Sequence, residues 1–130
     1  SERSRGLGDV YKRQALKLAD RIAIMKDGII EQLDSPANIV LNPATEYVRK
    51  FTEEVPREKV LLIEDVMDAS TTDNLSDLKV SKDEIIEDVA EKILTQEKTV
   101  AVIDNNNEII GSINPAKIID TVFGGRKNNN

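Results

Sequence analysis

The stretch RIAIMKDGIIEQLDSP, residues 21–36, decides how the first half of the chain is read. Arg21 to Met25 is a short β-type run, Ile29 to Leu33 is a second, and Lys26-Asp27-Gly28 lies between them. An Asp-Gly pair supplies the positive backbone angles that a tight hairpin turn demands, so the two runs are expected to pair as a β-hairpin. Asp34-Ser35-Pro36 then reads as a helix start. Ser35 is suited to cap the first free amides, and Pro36 fits the first helical position because its missing N–H has no partner to lose there. That helix is short, since Asn42 precedes Pro43 and the residue before a proline avoids helical geometry. A second helix is expected over about Ala44 to Glu53, with Tyr47, Val48 and Phe51 on one face.

Upstream, ALKLAD from Ala15 reads as the last turns of a helix with Leu16 and Ala19 on one side. Ser1 to Gln14, SERSRGLGDVYKRQ, has four basic and two acidic residues and no apolar period. Gly6-Leu7-Gly8 does not make a phosphate loop, because no strand precedes it and Tyr11 occupies the third glycine position. The segment resembles the non-native leaders of translated sequence reads and is set outside the fold.

Downstream, residues 56–59 read as a linker after a first module over 15–55. Val60 to Ile63 is an apolar run, Asp68 to Asp77 a polar loop, and Leu78 to Val80 a candidate strand. Ser81-Lys-Asp-Glu84 has the spacing of a capping box. The helix expected after it, to about Gln96, carries Ile85, Ile86, Val89, Ala90, Ile93 and Leu94 as a one-sided apolar stripe. Thr99 to Ile103 and Glu108 to Ile113 read as strands about the turn Asp104–Asn107. Asn114-Pro115 starts a last helix, with Ile118, Ile119, Val122 and Phe123 facing inward, and residues 124–130 form a disordered polar tail. The second module, 60–123, is thus β-α-β-β-α, and the whole chain is α/β or α+β.

Composition removes several classes of function. The 130 residues hold neither Cys nor His, which excludes disulfide frameworks, Cys/His zinc sites and His-based nucleophilic triads. Lys and Arg number 18 against 24 Asp and Glu, a net charge of −6, so a nucleic-acid partner is not expected. No apolar run approaches the roughly 20 residues of a membrane helix, and the expectation is a cytoplasmic protein.

Residues 15–51, ALKLADRIAIMKDGIIEQLDSPANIVLNPATEYVRKF, resemble the end of the nucleotide-binding domain of ABC importers for glycine betaine and proline, just after the switch-histidine loop. ADRIAIMKDG occurs across such importers, and Asn42-Pro43-Ala44 with Tyr47-Val48-Arg49 and Phe51 is typical of the quaternary-amine branch. Residues 60–123 resemble a single CBS motif, through Val100-Ala-Val-Ile-Asp104 followed by Glu108-Ile-Ile-Gly111. The resemblance implies the tail of a P-loop ATPase domain followed by one regulatory motif. ATP and Mg would belong to the intact parent, with no cofactor, metal or catalytic residue in this chain, which by itself would be inactive. The implied partners are a membrane permease, a second ATP-binding subunit and, indirectly, a periplasmic or lipid-anchored binding protein, at the inner face of the cell membrane. A lone CBS motif also implies an uncovered sheet face, open to pairing with a second copy.

The resemblance places a ligand cleft near Gly111, where CBS motifs turn tightly, with Asn114 and Lys117 at the positions that usually carry Thr or Ser and Asp. Asn114 also has a plain reading as a helix N-cap, and Lys117 offers no carboxylate to a ribose, so adenosine is not held there in the usual way. Asp104 to Glu108 presents alternating oxygen ligands but lacks the glycine and the twelfth-position Glu of a calcium loop, so it reads as a hairpin turn. Asp83, Glu84, Glu87, Asp88 and Glu91 make an acidic helix face. That face is solvated surface or, in an alternative of another class, part of a non-enzymatic ligand or ionic-strength sensor. A further alternative is another ABC importer branch.

Overall fold

A computed structural model of the chain describes residues 20–123. The leader, the helix expected from Ala15 with Leu16 and Ala19, and the tail 124–130 lie outside them. The chain divides between Val60 and Leu61 into two compact units.

The first unit runs β1 (Ile22–Lys26), β2 (Ile29–Asp34), α1 (Pro36–Leu41), α2 (Glu46–Thr52) and α3 (Arg57–Val60). β1 and β2 form the expected antiparallel hairpin, with Ile24 opposite Gln32 and a bulge after Ile24. Its turn has φ of 52° at Asp27 and 80° at Gly28, the left-handed pair that Asp-Gly tolerates. The Ser35 hydroxyl accepts the Asn38 amide at 3.2 Å, as the capping reading requires. The second helix starts two residues later than expected because Thr45 caps it, accepting the Val48 amide at 3.2 Å. Ile24, Ile39, Val40, Val48, Val55 and Val60 form the core, with Ile22, Tyr47 and Phe51 packed against it. Burying an aliphatic side chain of this kind contributes about 1.5–3 kcal/mol. Of the residues read as a linker, Arg57 to Lys59 are instead helical, and Val60, which belongs to this core, gives that turn a buried face.

The second unit runs α4 (Ile63–Val66), β3 (Leu75–Ser81), α5 (Ile86–Leu94), β4 (Thr99–Ile103), β5 (Ile109–Ile113) and α6 (Pro115–Ile118), continued by a π-helical turn, Ile119–Phe123. The sheet order is β3-β4-β5. β3 lies parallel to β4, so a crossover is needed, and α5 connects the two strands. β4 and β5 are antiparallel, pairing Val100 with Ile113 and Val102 with Gly111.

Four expectations change here. The capping box at Ser81 does not form: α5 begins at Ile86 and Ser81 ends β3. Residues 82–86 are instead held by backbone bonds to the preceding segment, with Ile63 N–H donating to Glu84 O at 2.9 Å and Ile86 N–H to Leu61 O at 3.0 Å. Ile119 is 51% exposed rather than inward, because Ile118 and Val122, one turn apart, take the buried face. The sheet face expected to stand open is closed at its centre. Val100 and Val102 on one side of β4 and Ala101 on the other are all buried, and so is Ser112 beside Ala101. The Ser112 hydroxyl donates to Ser70 O at 2.7 Å, fastening the preceding loop there. α5 keeps its stripe through Ile86, Val89 and Ile93, while Leu94 falls on the exposed edge.

Candidate functional site

Gly111, Asn114 and Lys117 sit along the end of β5 and the start of α6. Gly111 lies within the strand rather than in a tight turn. A Cβ there would collide with the carbonyl oxygen of Asp68 and come within 2.9 Å of the Met67 sulfur. That close approach follows from the two backbone bonds between Asp68 and Ser112, at 2.8 and 2.9 Å, which lay residue 68 against the free edge of β5. The glycine is therefore required by a backbone crossing, and the position beside it is filled by protein.

Asn114 is exposed and its side chain is committed, since Oδ1 accepts the Ala116 amide at 2.8 Å and caps α6. Lys117 is exposed one turn on. The Lys117 amide donates to Asn114 O at 2.9 Å within the first turn of α6, so these two residues are joined through the helix backbone. A groove of about 270 Å³ lies elsewhere, between the start of β3 (Leu75, Ser76, Asp77) and the connection from α5 to β4 (Thr95 to Lys98). It lies beside the stretch where β3 slips register against β4, between Leu75 and Lys79. Oδ1 of the Asp104 carboxylate accepts the amides of Asn106 and Glu108 at 2.8 and 3.0 Å, which fixes the hairpin turn.

Charge is placed mainly at the surface. Asp83, Glu87, Asp88 and Glu91 are exposed, and Glu84 is half-buried. The Lys82 ammonium reaches Asp83 at 2.9 Å and Glu64 at 3.5 Å, and these carboxylates hold its pKa above the ordinary lysine range, Asp83 first. Asp65 is pushed the other way for a carboxyl: burial raises its pKa, although its carboxylate accepts the Leu62 amide at 2.9 Å.

The first unit has one buried polar residue with three bonds that sequence reasoning missed. Gln32 accepts the Ala44 amide at 2.8 Å and donates to Asn42 O and to Asp34, both at 3.3 Å. It thereby ties β2 to the Asn42-Pro43-Ala44 corner. The signal was present, because the hairpin register puts Gln32 opposite buried Ile24, on the inward face.

No family model matches the chain. Among curated proteins, the trimethylamine N-oxide transport system ATP-binding protein TmoW of Pelagibacter ubique is 75% identical over 114 residues, which is 88% of this chain and 33% of that protein. Its homologues are ATP-binding subunits of importers for quaternary amines. The glycine betaine/carnitine transport ATP-binding protein GbuA of Listeria monocytogenes is 36% identical over 107 residues, 81% of this chain and 25% of that one. The glycine betaine transport ATP-binding protein OpuAA of Bacillus subtilis is 46% identical over 59 residues, 45% of this chain and 14% of that one. The chain spans a third or less of the length of these relatives. A match of 114 residues exceeds either compact unit, so both units have counterparts in the TmoW relative.

Proposed function

We propose that this chain is the C-terminal portion of the ATP-binding subunit of an importer that takes up small methylated amines such as trimethylamine N-oxide. The observation that carries the reading is the 75% identity to the trimethylamine N-oxide system, running through both units. In the full subunit, ATP and Mg would be held by other segments, and hydrolysis would drive a membrane permease fed by a substrate-binding protein. The subunit would work as a pair at the cytoplasmic face of the membrane.

In this account the first unit packs within the ATPase domain and the second is a CBS-type regulatory module. Gly111 and Asn114 then serve the module's architecture, because Asn114 caps a helix and Gly111 admits a crossing chain. Glycine betaine and proline are the competing substrates. A second reading, salt-responsive control through α5, rests on the exposed carboxylates Asp83, Glu87, Asp88 and Glu91, whose mutual field weakens as the Debye length falls from about 10 Å at 0.1 M salt to about 3 Å at 1 M.

The test is uptake by a bacterium whose own trimethylamine N-oxide ATP-binding subunit carries residues 20–123 of this chain in place of the matching segment. Accumulation of labelled trimethylamine N-oxide near the parental rate supports the reading. A stable chimera that associates with its permease but transports none of the three labelled amines contradicts it. Neutralising Asp83, Glu87, Asp88 and Glu91 in the same chimera tests the second reading, which fails when salt activation is unchanged.

A further inference from the structure

We draw no further inference here: the strongest candidate, the apolar outer face of the β1–β2 hairpin made by Ala23, Met25, Ile30 and Leu33, carries nothing because nothing in the structure shows what covers it.

Discussion

Gln32 and Gly111 each occupy a place that a few atoms decide. Replacing Gln32 by Leu keeps the volume but strips partners from the Ala44 amide and the Asn42 carbonyl. Leaving such groups unsatisfied costs about 1–3 kcal/mol, so Q32L is expected to lower the urea midpoint and to speed amide exchange at Ala44. Gly111→Ala forces a methyl group into the Asp68 carbonyl, where backbone cannot easily yield. Overpacking of that kind costs about 1–3 kcal/mol, read as lost exchange protection at Val100 and Val102. Two carboxyls give opposite pH signs. Asp34 is held below the ordinary Asp value of 3.8, first by the Asn38 side chain and then by the Ser35 amide and Gln32. It therefore contributes stability above the unfolded pKa, and that contribution is lost as pH falls through its folded pKa. Asp65, raised above 3.8 by burial, binds its proton more tightly in the fold, so its charged form opposes folding at neutral pH and that opposition fades as pH falls through its folded pKa. Carboxyl titration followed by NMR is expected to place Asp34 below and Asp65 above a denatured reference. The reverse order would contradict both causes.

Local rules made most single elements legible. The hairpin, both Pro-led helix starts and the pair β4 and β5 follow from turn chemistry, N-caps and alternation, each contained within a few residues. Asn114→Ala is expected to cost about 1 kcal/mol by removing the cap on α6, and Asn114→Ser to restore most of it. Chemical denaturation of the two variants checks this, and equal loss in both would mean that Asn114 does something other than cap. What the sequence hid was set by distant partners. Ser81 and Glu84 satisfy the capping-box spacing, yet the Leu61–Glu64 segment claims the backbone of 82–86 first. Likewise Gly111 looks like a turn glycine, and only the chain crossing at Asp68, 43 residues earlier, explains it. The groove beside the register slip in β3 likewise lies where no motif pointed.

At the scale of the whole molecule, one hairpin carries apolar surface that stays exposed among the described residues. Met25, Ile29, Ile30 and Leu33 are 49–67% exposed, all on one hairpin. Contiguous apolar surface promotes association, so the isolated chain is expected to bind a hydrophobic dye, and an Ile30→Lys, Leu33→Lys pair to suppress both dye binding and aggregation. Unchanged light scattering in that double variant would contradict the assignment. The first unit also buries a smaller core, so amides of β1 and β2 are expected to exchange faster than those of β4. No helix among the described residues is long and apolar enough to cross a membrane, and the proposed role calls for a separate permease. The central claim is that these units are one part of a transport ATPase, and the coding sequence upstream of Ala15 in the source DNA tests it most directly. The account predicts an open frame that encodes, reading backward, a switch histidine, an ABC signature sequence and a glycine-rich phosphate loop. A frame that starts near Ser1, with stop codons before it, would contradict the account.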